Sequence, residues 1–260
     1  MKFVVSDLDG TLLYSHNVVS EYTIDTIKKL VDSGINFAIA TGRGQQGVQN
    51  TLKQLGIKPY LICNNGANIY NPMGECIFET RIPRDVAIAI LKEIRANNLF
   101  YSAFLNEYFY HNKNEEVENF TSRPLFTEVA LEKEEDCPEL NKIIVQDENP
   151  EVVANIAAIL KEKFSHVAEI MISQPTCMDI APKNCTKGSG IENLAKIFNL
   201  TTDDFMAFGD GENDIDMLKT VGHPVIMENA QDILKKQFPT VTLTNTEHGV
   251  AKYLEHYFKL

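Results

Sequence analysis

Carboxylates gather at two places in the 260-residue chain, SDLDGT at 6–11 and GDGENDID at 209–216. Between them lie a hydroxyl with a cation two residues on, Thr41-Gly42-Arg43, and a lysine followed by glycine, Lys187-Gly188. Several carboxylates drawn into one cleft repel one another unless a cation sits among them. Oxygen donors with no His or Cys nearby favour a hard ion. Mg²⁺ fits best, since it keeps several waters and takes one or two protein carboxylates. A threonine hydroxyl, a lysine ammonium and open backbone N–H groups in glycine-rich turns are phosphate ligands. A carboxylate can also attack phosphorus and form an aspartyl-phosphate. Together the residues read as a metal-plus-phosphate set.

Each fragment alone has a plainer reading. An isolated D-x-D is common in turns, T-G-R often marks only a strand-to-helix turn, and a lysine at a helix start is usually solvated. Asp214 and Asp216 would suit a helix N-terminus by charge alone. Neither acidic stretch is an EF-hand loop. Counted from Asp7, glycine stands at position 4 rather than 6 and Val18 occupies position 12; counted from Asp210, position 6 is Ile215. The order of the parts, and their place along the chain, make the set specific.

The elements that must position them follow from hydrophobic periodicity. Residues 2–7 predict a strand, and 21–33 a helix with Ile24, Ile27, Leu30 and Val31 on one face and Gly34 as its stop. A buried strand follows at 35–41, a helix at 44–55 and a third strand at 60–64. This rhythm implies a parallel sheet covered on both faces, whose sites form beyond the carboxyl ends of its strands. Residues i and i+2 leave a strand on the same side, so Asp7 and Asp9 are expected to face one cleft.

After residue 67 the rhythm changes. A hairpin is predicted over 68–80, a helix over 83–97, strands at 101–105 and 108–111, and a solvated acidic loop at 131–141. Next come a strand at 142–146, a helix at 150–164, and strands at 167–173 and 177–182. From Thr186 the α/β pattern resumes, with helices at 187–198, 213–220, 230–237 and 248–258 and strands at 204–210, 224–227 and 241–244. The fold class is therefore α/β: a Rossmann-like parallel sheet core, 1–81 and 185–260, with an inserted α+β domain at 82–184. Tyr101, Phe104, Tyr108, Phe109 and Tyr110, at strand spacing, read as core of the insert. The six histidines, including His16, His111 and His166, show no ligand spacing and read as surface or satisfied residues.

Composition limits the partners. A net charge of −12, from 36 acids and 24 bases, argues against nucleic acid or an anionic membrane. Five irregularly spaced cysteines with no C-x-x-C pair suggest reduced thiols rather than disulfides or a zinc site. Ser6-Asp7 interrupts the first apolar run, so no signal segment is expected there, and no run reaches the length of a membrane span. These features imply a cytoplasmic protein, and a monomer or weak homodimer is expected.

DLDGTLL, TGR, the lysine ahead of the final α/β half and GDGENDIDML resemble the four motifs of the haloacid dehalogenase superfamily of phosphatases. The GD-x-x-ND-x-x-ML form and NNGA at 64–67 resemble its Cof-like branch, whose large α/β cap is inserted after the third core strand. The resemblance implies that Asp7 is nucleophile and Mg²⁺ ligand. It makes Asp9 the general acid/base, with its backbone carbonyl on the metal, and Asp210 a further metal ligand. Phosphate would be held by the Leu8 N–H, Thr41, Gly42, Lys187 and Asn213. Asp214 would orient Lys187 or a metal-bound water, Arg43 would reach toward substrate, and Gly211 stands where some relatives have serine. For Asp9 to carry a proton while Asp7 is ionised, Asp9 is expected to be partly buried away from direct ligation.

The function so implied is Mg²⁺-dependent hydrolysis of small phosphorylated metabolites, sugar phosphates first, with specificity in the cap. A sugar phosphomutase shares this architecture but must return the phosphoryl group to a sugar rather than to water. A ligand-binding or regulatory protein that keeps the fold without turnover is the remaining alternative.

Overall fold

A computed structural model describes residues 1–15, 17–112 and 126–260. The chain divides into two compact units, Met1–Glu79 with Thr186–Leu260, and Thr80–Cys185.

The first unit is built on seven strands. Five are parallel: β1 (Phe3–Asp7), β2 (Asn36–Ala40), β3 (Tyr60–Cys63), β12 (Phe205–Gly209) and β13 (His223–Ile226), with β4 (Asn68–Tyr70) and β5 (Cys76–Glu79) forming an antiparallel hairpin at one edge. The order is β13-β12-β1-β2-β3-β4-β5. One face of this sheet packs Val4, Phe37 and Ile39 against Ile27 and Leu30 of α1 (Glu21–Asp32) and Leu254 of α8 (Gly249–Phe258). The other packs Phe3, Val5, Ala38 and Ile62 against Ile191 and Leu194 of α5 (Lys187–Ile197) and Met217 and Leu218 of α6 (Ile215–Thr220). Burial on both faces explains why the strands read as unbroken apolar runs. Central β1 lies between β12 and β2, with Ser6 opposite Phe208 and Asp7 opposite Ala40. That register brings Asp7, Thr41 and Asp210 to one end of three adjacent strands.

Local chemistry fixes the element ends. Ser20 caps α1 by accepting from the Thr23 N–H, and Gly34 ends it at φ 89°. The expected helix at 44–55 begins as a tight turn, Gln45–Val48, before α2 (Gln49–Leu55). That at 213–220 begins likewise with a turn, Glu212–Asp214, before α6. Residues 241–244, expected as a strand, make one bridge, Val241 to Ile226, leaving Val241 and Leu243 exposed. β13 is the last strand of the sheet, and the chain only touches its edge in passing. Among the described residues no helix is long and apolar enough to cross a membrane.

The inserted unit has six strands in the order β10-β11-β9-β6-β7-β8. They are β6 (Tyr101–Leu105), β7 (Tyr108–Asn112), β8 (Thr127–Leu131), β9 (Lys142–Gln146), β10 (Ala168–Gln174) and β11 (Cys177–Pro182). Only β7 and β8 pair in parallel. Helices α3 (Arg84–Ala96) and α4 (Pro150–Phe164) bury Ile90, Ile94, Ile156 and Leu160 with Tyr101, Ile143, Val145 and Ile180. Tyr101, Phe104 and Phe109 are core as expected, whereas Tyr108 is exposed and Tyr110 half-buried. His111 is buried with Nε2 2.9 Å from Glu128, His166 is exposed, and His16 lies outside the described residues.

The acidic stretch 131–141 is solvated only in part, as Glu132, Glu135, Asp136 and Glu139 are exposed. Glu134, Cys137 and Leu140 are buried. Arg84 and Arg95 of α3 donate to the carbonyls of Cys137 and Leu131 at 3.1 and 3.0 Å, and Glu134 pairs with Arg95 while accepting from Tyr101 Oη at 3.0 Å. Arg95 of α3 thus neutralises the one acid of the stretch that is buried, Glu134. Glu134→Ala should lower the unfolding free energy by about 2 kcal/mol, because it leaves buried donors unpaired beside a half-exposed guanidinium. Urea denaturation of wild type and variant measures this, and an unchanged midpoint would refute it.

Candidate active site

Strand β1 ends at Asp7, and the chain turns at once. Leu8–Leu12 form a single wide turn in which the Leu13 N–H donates to Leu8 O at 3.0 Å. Gly10 sits at φ 83°, and a Cβ there would fall 2.4 Å from Asp210 Oδ2, so only glycine admits the β12 loop this closely. Because the strand stops at Asp7, its alternation does not extend to Asp9, and the two acids face different surroundings.

Asp7 is 5% exposed and accepts from Lys187 Nζ at 2.5 Å. Lys187 opens α5, is buried to 1%, and donates a second bond to Asp214 Oδ1 at 2.6 Å. Asp214 closes the turn after β12, where its Oδ2 accepts the N–H groups of Asp210 and Gly211 at 3.0 Å each. Asp210 in turn accepts from Thr11 Oγ1 at 2.6 Å. Carboxylate oxygens of Asp7, Asp210 and Asp214 lie within 4.8 Å of one another.

Three carboxylates against one ammonium leave net negative charge in a largely buried place. Burial raises the Asp7 carboxyl well above its usual value, and the charge on Asp214 adds to this, while Lys187 pulls it back. Burial alone would lower the Lys187 ammonium, but Asp214 and Asp7 reverse that and hold it charged. The Asp210 carboxyl is pushed up to about 6, chiefly by burial and further by Asp214, against the hydrogen bond from Thr11. The arrangement therefore takes up protons or a cation.

The donor set fits a hard divalent ion. Asp214 commits both oxygens to Lys187 and the backbone, whereas Asp7 and Asp210 each commit one to a hydrogen bond. That leaves one uncommitted oxygen on each of Asp7 and Asp210, and one or two carboxylates are what a Mg²⁺ ion commonly takes.

A pH dependence follows in metal-free buffer. With its folded value near 6 against a usual 3.8, folded Asp210 binds a proton that the unfolded chain has lost. Its contribution is present below pH 4 and is lost as pH rises through 6. Asp210→Asn keeps the acceptor for Thr11, so well above pH 6 it should be more stable than wild type by about 3 kcal/mol, and the gap should close near pH 4. Urea melts at several pH values with chelator check this; a gap independent of pH would refute it.

The remaining sequence-selected residues surround this cluster. Leu8 and Thr41 are buried, and the Thr41 hydroxyl accepts from the Arg43 N–H at 3.1 Å. Asn213 Oδ1 lies 2.6 Å from where a Cβ would stand on Gly211, so Gly211 leaves room for it. Asp9 is not partly buried: its side chain is 58% exposed and is gripped by Arg43, Nε to Oδ2 at 2.9 Å and Nη2 to Oδ1 at 2.5 Å. Arg43 is further anchored by Asn17 Oδ1 and Gly47 O, at 2.8 and 3.2 Å. The buried thiols of Cys137 and Cys185 are pushed up to about 12 by desolvation, which leaves them inert.

Sequence reading missed several supports. Thr11 holds Asp210. Thr186 caps α5 through Ser189 and donates to Asp216 of α6, which fixes the helix start one residue before Lys187. Asn64 and Asn65 carry positive φ at the end of β3, and Gly66 at φ 93° lies where a Cβ would fall 2.1 Å from Thr186 O. The NNG spelling was the signal for that turn, since Asn and Gly are the residues that tolerate left-handed backbone.

A family model for haloacid dehalogenase-like hydrolases matches residues 4–254. A Haemophilus influenzae protein named as a phosphatase is 33% identical over 265 residues, covering 99% of this chain and 98% of its own. A Yersinia pseudotuberculosis protein named HMP-PP phosphatase is 28% identical, covering 96% and 93%. The solved structure of a haloacid dehalogenase-like hydrolase from B. subtilis superposes with TM-score 0.85 at 27% identity, over 98% of this chain and 99% of that one.

Proposed function

Because the chain belongs to the haloacid dehalogenase-like hydrolases, in their Cof-like capped branch, we propose that it is a Mg²⁺-dependent phosphatase of small phosphorylated metabolites, sugar phosphates first. The observation that carries this reading is the Lys187 ammonium, buried between Asp7 and Asp214 at 2.5 and 2.6 Å, with Asp210 beside them. It supports a nucleophilic carboxylate, a fixed cation and a metal site at one end of the sheet.

In this reading the phosphoryl group lies among Asp7, the Thr41-Gly42 turn, the Leu8 N–H, Asn213 and Lys187. A carboxylate oxygen of Asp7 forms a bond to phosphorus as the bond to the leaving oxygen breaks. Asp9, turned away from Arg43 and protonated, gives its proton to that oxygen. Asp9 then takes a proton from a water that attacks phosphorus; the Asp7–phosphorus bond breaks, releasing orthophosphate and restoring the carboxylate. Lys187 neutralises charge on the transferring oxygens. Asp7, Asp210 and the Asp9 carbonyl would hold Mg²⁺, which would supply further positive charge to the transferring group. We assign selection among substrates to the inserted unit.

A phosphate-release screen tests the reading, using phosphorylated sugars, nucleotides, acids and cofactors, with Mg²⁺ or with chelator. Release that depends on Mg²⁺ and is greatest for sugar phosphates is expected. Isomerised sugar phosphate without release would make the protein a mutase, and silence across the panel would sink the reading.

A further inference from the structure

Asn65 Oδ1 is a buried side-chain atom with neither a hydrogen-bond partner nor an ion pair among the described residues. Asn65 has no charge to pair, and it is 3% exposed. Its neighbours in the same turn are satisfied: Asn64 Nδ2 donates to Asn68 Oδ1 at 2.8 Å, and Asn68 Nδ2 to Glu79 at 3.2 Å. A buried carboxamide oxygen left unpaired is costly and calls for an explanation. Backbone shape does not supply one, because glycine would take the φ of 53° at this position without the cost.

Position supplies one. The Asn65 N–H donates to Thr41 O at 3.1 Å and the Asn64 N–H to Arg43 O at 3.0 Å, so this turn backs directly onto Thr41-Gly42-Arg43. A Cβ on Gly42 would stand 3.2 Å from Asn65 Oδ1 and 3.5 Å from Nδ2. On its other flank, Gly66 abuts the Thr186 carbonyl, one residue before Lys187. The unpaired amide thus lies between the two elements to which the proposed function gives the phosphoryl group. The oxygen and nitrogen ends of a carboxamide exchange by a half-turn of its last bond, so the same place can present a donor.

We propose that the Asn65 carboxamide is a substrate-binding group, whose Nδ2 donates to a phosphoryl oxygen and is satisfied only when the phosphate is bound. This rests on the phosphatase reading. Orthophosphate is the probe, titrated into the full chain in Mg²⁺ buffer, with Asn65→Gly and Asn65→Asp as variants. Glycine keeps the left-handed turn and removes the amide; aspartate keeps the shape and replaces the donor with a negative oxygen. The dissociation constant should rise about 10- to 100-fold in Asn65→Gly, the range for a lost hydrogen bond to a charged group, and further in Asn65→Asp. Without phosphate, Asn65→Gly should melt no lower than wild type, because it loses no internal hydrogen bond.

An unchanged dissociation constant in folded Asn65→Gly would overturn the proposal. So would an Asn65→Gly chain that fails to fold, since that would give the amide a structural partner. Wild type that neither binds orthophosphate nor hydrolyses any phosphate ester would instead sink the phosphatase reading. Active wild type with an indifferent Asn65→Gly would sink this inference alone.

Discussion

Asp7→Asn should abolish phosphate release, by more than about 10⁴-fold, while leaving a folded protein. The amide keeps the size of the carboxylate and an oxygen to accept from Lys187, so the contact at 2.5 Å survives in kind. What it removes is the negative oxygen that must bond to phosphorus. The same change relieves the cluster, since three carboxylates against one ammonium become two. In metal-free buffer Asp7→Asn should therefore melt at or above the wild-type temperature, the reverse of what damage to a buried site produces. The two readouts separate chemistry from folding: an active Asp7→Asn enzyme would end the assignment of Asp7 as nucleophile, and an inactive unfolded one would say nothing for it.

Removal of the cation should have the opposite structural result. Lys187→Met fills nearly the same volume without charge and leaves Asp7 and Asp214 buried and unpaired. Breaking a buried pair from one side costs about 3–5 kcal/mol. For a chain of this size that lowers the melting temperature by about 10 °C. Phosphate release should be lost as well, because nothing else among the described residues places an ammonium at Asp7. The stability deficit should shrink toward acid pH, where the stranded carboxyls take up protons. Calorimetry at pH 7.5 and pH 5 checks both parts, and a variant as stable as wild type would show that the ammonium does not hold this cluster together.

The sheet, and the edge of it that carries the candidate site, were legible in the sequence for one reason. Short continuous apolar runs bounded by turn residues suit strands buried on both faces, and the polar residues at their ends mark the edge where chemistry is placed. β1, β2 and β12 each carry that signature, so Asp7, Thr41 and Asp210 could be brought together without knowing any distance. Interactions between distant segments were not legible. Glu134 looks solvated until Arg95 and Tyr101 arrive from elsewhere in the insert. TEVAL at 127–131 is short and carries a charge at Glu128, yet it becomes β8 because β7 offers it a partner. Residues 241–244 carry the strand pattern but meet only the last edge of the sheet. The surroundings of Asp9 depended on where β1 stops, a boundary that alternation alone does not fix.

The capped start of α5 has a consequence for how the two units can vary. The chain leaves the insert at Cys185, and the next two residues are the helix cap and the lysine. Thr186 is tied to Ser189 and Asp216, both within the core unit, so the lysine's register is set after the crossing and independently of what precedes it. The crossing is in effect a splice site. An insert of different fold or length, joined at Thr80 and Cys185, would hand the chain back to a locally anchored helix. Exchanging the whole insert is thus an engineering operation that should leave Lys187 and its contacts with Asp7 and Asp214 unchanged.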